Sequence, residues 1–169
     1  MPTATLRAMG LSVLLLMVSL VARGDLKRAK VDEGQYFSAA QLAAQVAHPV
    51  GGFDFKAVSS RPESTILIAR RDKTGEVEVH AALDDILLVE SGRATVTVGG
   101  RVTGNRQTEA NEWRGGEQSG GREYAVAAGD LLLIPAGSPH LVTVAANAPF
   151  TYLIVKIPAQ HPLTTSNGP

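Results

Sequence analysis

The sequence predicts an all-β domain, a sandwich or small barrel, preceded by one short helix. Eight or so short apolar or β-branched runs follow one another between residues 64 and 156, most of them separated by turn signals. Only one stretch combines helix-start and helix-stop chemistry. Ser38-Ala-Ala-Gln41 has the form of a capping box and opens a helix over 39–47, with Phe37 and Leu42 placed to staple its start. His48-Pro49 ends it, because a residue before proline disfavours helical backbone. Asp25–Gln35 is charged without apolar periodicity and reads as an arm, and 51–62 reads as a loop leading into the sheet. Strands are expected at 64–71, 76–82, 86–90, 94–98, 123–126, 131–134, 141–144 and 150–156. Lys73-Thr-Gly75, Ser91-Gly92 and Gly99-Gly100 punctuate them. Gly104–Gly121, rich in Gly, Gln, Glu and Arg, reads as a long excursion beside the barrel. Its Trp113 and Arg114 suit a lid over the barrel mouth or an ordinary surface loop.

The most informative segment is Gly129-Asp-Leu-Leu-Leu-Ile-Pro135-Ala-Gly137-Ser-Pro-His140. An apolar strand enters a tight turn at Pro135 and Gly137, and the next strand opens with a histidine whose direction the turn fixes. Upstream, Glu78-Val-His80 is followed by Asp84-Asp85 and, seven residues after Asp85, by Gly92. Residues 78 and 80 are two apart, so on a strand they project from one face.

These segments resemble the two motifs of the cupin superfamily. The downstream one matches G-x5-P-x-G-x2-H at every defined position, and Val144 stands where an asparagine often follows. The upstream one is a variant of H-x-H-x(3,4)-E-x6-G, with Glu78 on the first histidine, His80 on the second and Asp85 on the glutamate. In particular the chain is similar to small exported bacterial single-domain cupins of type 2 that carry an E-x-H-x4-D first motif and a Gly-rich insert. The resemblance covers residues 62–157 and implies a single-domain cupin jelly-roll β-barrel. It also implies a divalent metal ion held by Glu78, His80, Asp85 and His140, with Asp84 as the fallback if the register slips by one. Such a mixed imidazole and carboxylate set leans toward Fe(II) or Mn(II), with Zn(II) and Ni(II) feasible.

Each of these residues also has a plainer role. His80 and His140 could be hydrogen-bonded core histidines, Glu78 an exposed strand residue, and Asp85 a turn cap. Glu78 is the candidate general base where it does not ligate. Tyr152 is in phase with Phe150 and Ile154 and could present its hydroxyl to a ligand in the lumen, or pack in the core. His48 and His161 have no partner at ligand spacing. The implied function is a metal-dependent enzyme of oxygenase, isomerase or lyase type acting on a small organic molecule. The alternative is a non-catalytic module that binds a sugar or metabolite.

Residues 1–24 have the organisation of a signal peptide. Arg7 supplies the positive region, Gly10–Ala22 the apolar one, and Ala22 and Gly24 the small residues before a cut at Asp25. The span between Arg7 and Arg23 is 15 residues, short of the ~20 that cross a bilayer, although Arg23 beside the cut keeps an uncleaved anchor as the alternative. A periplasmic or secreted location follows, without stable membrane insertion after cleavage. Removing 1–24 leaves 14 basic and 16 acidic residues, a balance with no footprint for nucleic acid. No cysteine is present, which excludes a lipoprotein anchor, disulfides, zinc–thiolate sites and a thiol nucleophile. Stability must come from the core, a metal or a partner subunit, and a homodimer is compatible with every function above. Residues 158–169 read as a disordered tail.

Overall fold

A computed structural model describes residues 34–160. The chain falls into two units, Met1–Tyr36 and Phe37–Pro169, and everything that follows lies in the second. The signal peptide, most of the charged arm, His161 and the end of the tail lie outside the described residues.

The helix α1 spans Ala39–Gln45, and its capping box is formed as expected between Ser38 and Gln41. Among the described residues thirteen strands follow: β1 Phe53–Arg61, β2 Ser64–Arg71, β3 Glu78–His80, β4 Leu83–Ser91, β5 Arg93–Val98, β6 Arg101–Thr103 and β7 Arg106–Glu109. The rest are β8 Glu112–Arg114, β9 Glu117–Ser119, β10 Arg122–Ala127, β11 Leu131–Ile134, β12 His140–Thr143 and β13 Phe150–Pro158. They form a five-stranded sheet ordered β1-β2-β13-β4-β11, a six-stranded sheet ordered β10-β5-β12-β3-β8-β7, and a β6-β9 ribbon. Every pairing is antiparallel.

The core lies between the two large sheets. Leu87, Val89, Ile134, Phe150 and Tyr152 from one meet Val96, Val126 and Val142 from the other. Fully burying each such side chain stabilises the fold by about 1.5–3 kcal/mol. On the outer face of the five-stranded sheet, Leu42 and Val46 at the helix pack on Ile68, Val58 and Leu153. Phe150 and Tyr152 stack at 4.8 Å, which fixes the inward phase of β13.

Two expectations are corrected here. Residues 51–62 are not a loop, because Phe53–Arg61 is the edge strand β1, paired with β2. An edge strand buries few side chains, so its mixed sequence carries no clean alternation. Nor is Gly104–Gly121 an excursion beside the barrel. It contributes β7, β8 and β9, and β7 and β8 extend the six-stranded sheet beyond β3. Trp113 and Arg114 are therefore sheet residues rather than a lid. Asp84 and Asp85 lie inside β4, which starts three residues earlier than its apolar run suggests.

Candidate metal centre

Alternation along six strands aims charged side chains into the space between the sheets. His140 of β12 is paired with Glu78 of β3, and β13 sets Lys156 opposite Asp85 of β4. The turn before β12 is held twice. Ser138 N–H donates to the Pro135 carbonyl at 3.1 Å and Gly137 N–H donates to the His80 carbonyl at 2.7 Å. Gly137 has φ of 78°, a conformation glycine adopts without steric cost. The glycine of the upstream motif has an equally local reason. Gly92 has φ of 83°, and a Cβ there would collide with the Pro149 carbonyl. Asp84 is not the ligand candidate, since its Oδ1 accepts from Ala136 N–H at 2.7 Å and anchors the same turn.

Glu78, His80, Asp85 and His140 come together. His80 Nε2 lies 3.6 Å from Glu78 Oε2 and 3.4 Å from Asp85 Oδ2. His140 Nε2 lies 3.9 Å and 4.0 Å from the same two oxygens. Metal–ligand bonds of about 2.1 Å separate neighbouring donors by about 3.0 Å in an octahedron and about 3.4 Å in a tetrahedron. The observed spacings are slightly wider, so small rotations would close the set. Glu78, His80 and His140 offer one ligand atom each, all mutually within 4.8 Å. A His and Glu cluster that fits a metal ion is thus built into the described residues.

Four further side chains, none of them expected at the ligand cluster from the sequence, complete it. Arg71 Nη2 donates to Glu78 Oε1 at 2.7 Å, and Arg114 pairs with Glu78 Oε2. Glu112, opposite His80 on β8, pairs with His80 Nδ1. Lys156 Nζ donates to both Asp85 oxygens at 2.8 Å and meets His80 Nε2 at 2.9 Å. The chain therefore places an ammonium of its own among the candidate ligands. Lys156 had one available signal: it continues the alternation of Phe150, Tyr152 and Ile154. Arg71 follows Arg70, so nothing in the sequence distinguishes the inward arginine, and Glu112 and Arg114 sit in a segment of loop-like composition.

Protonation follows from these neighbours. Burial disfavours the Glu78 carboxylate, but His80 and the charges of Arg114, His140 and Arg71 outweigh it and hold its pKa well below the ordinary range. Burial likewise opposes the Asp85 charge, and His80 and Lys156 pull its pKa down. Burial lowers His140, which keeps the imidazole neutral near pH 7. Its Nδ1–H donates to the Ser138 carbonyl at 3.1 Å, leaving the Nε2 lone pair toward the cluster. Burial opposes the imidazolium at His80, yet Asp85, Glu112 and Glu78 raise its pKa to about 10. The 2.9 Å between His80 Nε2 and Lys156 Nζ has room for one proton between them. Glu112 engages Nδ1, so Nε2 is the ring nitrogen that faces Glu78 and Asp85.

Tyr152 is buried, and its hydroxyl accepts from Arg71 Nε at 2.9 Å. Burial pushes the phenol up to about 12, so it keeps its proton at neutral pH. It lines the lumen with Arg71, Glu78, Asp85 and His140, around a space of about 20 Å³. That volume holds a single water. His48 is exposed, as its position at the helix end suggests.

The double sheet and the inward cluster at the two motif positions define a cupin fold, the double-stranded β-helix. A family model, the AraC-like ligand binding domain, matches residues 116–161, which include His140, Tyr152 and Lys156. Among solved structures, an uncharacterized conserved protein with a double-stranded β-helix domain from Klebsiella pneumoniae superposes with a TM-score of 0.55 at 19% identity. The match covers 76% of this chain and 93% of that one. TT1209 from Thermus thermophilus gives 0.53 at 19% identity over 70% and 94% of the two chains. The conserved SPY1581 protein of unknown function from Streptococcus pyogenes gives 0.51 at 19% identity over 78% and 93%. None of the curated proteins matches this chain. The likeness is one of fold.

Proposed function

We propose that this chain is an exported type-2 cupin that binds a divalent metal ion and uses it in a reaction on a small organic molecule. The observation that carries this is the convergence of Glu78 Oε2, His80 Nε2 and His140 Nε2 between the sheets, with Asp85 Oδ2 facing both imidazoles. Two imidazoles with carboxylates suit Fe(II) or Mn(II), and Zn(II) or Ni(II) are compatible. When bound, such an ion supplies Lewis acidity, or redox chemistry in the case of iron, to oxygen atoms it holds.

The side chains have separable tasks. Glu78, clamped by Arg71 and Arg114 and held ionised, is a poor proton acceptor at neutral pH. That environment favours a ligand over a general base. Tyr152 keeps its hydrogen and is placed to donate it to a bound group, while Arg71 fixes the phenol oxygen. Glu112 orients His80 through Nδ1. A Glu78→Gln variant with unchanged metal content and turnover contradicts both roles considered for Glu78.

The rival is a non-catalytic module for a sugar or metabolite. Its support is the chain's own cation, Lys156, among the candidate ligands, together with the small lumen. Water-proton relaxation of the Mn(II)-loaded protein separates the two. Exchangeable metal-bound water is expected of the enzyme, and its absence favours the module.

Export rests on residues 1–24, and N-terminal sequencing of the secreted or periplasmic protein should begin at Asp25. Retention of residues 1–24 on a membrane-bound product contradicts it. Among the described residues no helix is long and apolar enough to cross a membrane. A homodimer through the β11 edge is part of the same proposal. Leu131 and Leu133 there are 65% and 57% exposed, and a monomeric sedimentation coefficient at micromolar concentration contradicts it.

A further inference from the structure

Among the described residues, Arg71 is the one side chain shared by the lumen and a second, larger cavity. That cavity has a volume of about 360 Å³ and is lined by Phe53, Arg71, Lys73, Thr74, Gly75 and Glu76. It falls in the size range of small-molecule sites, whereas the space beside the ligand cluster, about 20 Å³, admits a water. Of the two, the larger cavity has room for the bulk of an organic molecule, and Arg71 lines both.

The charges lining that cavity are unevenly matched. Arg71 uses Nε on Tyr152 and Nη2 on Glu78, and Nη1 makes no hydrogen bond among the described residues. The single charge of Glu78 is divided between Arg71 and Arg114. The cavity's own acid, Glu76, is engaged by Arg106, whose Nη2 donates to Oε2 at 3.0 Å. Lys73 has no ion-pair partner among the described residues. What remains is positive, with one planar guanidinium edge and one ammonium. Beside them, the Phe53 ring lies 4.1 Å from the Arg71 Cζ and offers an apolar surface.

The wall is also fixed in place. Thr74 Oγ1 donates to the Val144 carbonyl and accepts from its N–H, and Gly75 N–H donates to the Val142 carbonyl. The guanidinium lies directly over Gly75, where a Cβ would collide with Nη1.

We propose that this cavity binds a small organic carboxylate, received by Arg71 Nη1 and Lys73 with its apolar body on Phe53, and that Arg71 determines specificity. A guanidinium edge matches a carboxylate in geometry as well as charge. Arg71 then links the bound acid to the cluster through Tyr152 and Glu78. This names the substrate class of the site described above and rests on that assignment only for the step that follows binding.

The test is calorimetric titration of the EDTA-treated full chain with benzoate and with its neutral counterpart benzamide. Benzoate should bind, and benzamide should bind at least about tenfold more weakly, because a charged hydrogen bond is lost. Arg71→Gln should weaken benzoate by about tenfold or more, and Lys73→Ala by a smaller factor. Arg71 is buried and paired, so Gly75→Ala is the second variant. Gly75 lies outside the left-handed region and accepts alanine, whose methyl displaces Nη1. It should weaken benzoate to a similar degree without changing metal uptake. Absence of benzoate binding, equal affinity for benzamide, or unchanged benzoate affinity in Gly75→Ala overturns the proposal. Metal uptake by the same protein is read separately. Benzoate binding without metal removes the metalloenzyme and leaves this site standing; metal without benzoate does the reverse.

Discussion

Lys156 contests the metal position, and its removal should separate two effects that a ligand mutation confounds. In Lys156→Met the chain loses an ammonium 2.8 Å from both Asp85 oxygens, while the packing of its apolar stem is largely kept. The gross attraction at that distance is about 6 kcal/mol at an effective dielectric constant of about 20. Much of it is offset by desolvation, and the measurable quantity is the cost of leaving Asp85 without a partner. Breaking a buried pair costs about 3–5 kcal/mol. The low end is expected here, because His80, 3.4 Å from Asp85 Oδ2 and with its pKa raised to about 10, remains a charged partner for that carboxylate. Urea denaturation in EDTA should therefore show a loss of about 3 kcal/mol. Adding Mn(II) or Zn(II) should narrow that gap. Without a competing cation the variant should bind metal at least about tenfold more tightly than the parent, a difference of about 1.4 kcal/mol. At a hundred times its Kd the ion should restore about 2.7 kcal/mol. Equal metal affinity in the two proteins would refute the idea that ammonium and metal compete for one place.

Further consequences concern the neighbours. Glu112→Gln weakens the partner of His80 Nδ1, and metal affinity measured against a competing chelator should fall about 10- to 100-fold; an unchanged affinity would mean that Glu112 does not orient the ring. Gly137→Ala places a Cβ at φ of 78° and should cost about 1–2 kcal/mol in urea denaturation; a neutral result would remove the turn from the account of how His140 is aimed. Tyr152 is raised from an ordinary 10.0 to about 12, so its stabilising contribution is complete below pH 10 and lost as pH rises through 12. Stability should fall across that interval by about 2–3 kcal/mol more in the parent than in Tyr152→Phe. Parallel pH profiles of the two proteins would show that the phenol does not resist ionisation.

The parts of the fold that could be read from the sequence are those where one face is buried and the other is not. Ser64–Arg71 and Leu131–Ile134 match the expected strands end to end, because each centres on a short unbroken apolar run. The capping box at Ser38 is equally local. β1 escaped notice because an edge strand buries little, and β8 because Glu112-Trp-Arg114 has neither apolar alternation nor length. The site divides in the same way. Glu78, His80, Asp85 and His140 stand on motif spacing, and the structure brings them together. Arg71, Glu112, Arg114 and Lys156 enter through cross-strand pairing, which a single strand's sequence does not encode. Only the period of β13 pointed inward at Lys156.

Metal content per chain is the most direct test of the central claim, measured on protein purified without tag histidines beside its His140→Ala variant. The proposed centre predicts near-stoichiometric iron, manganese or zinc in the parent and its loss in the variant. No metal in the parent, and no uptake or thermal stabilisation on reconstitution, would contradict it.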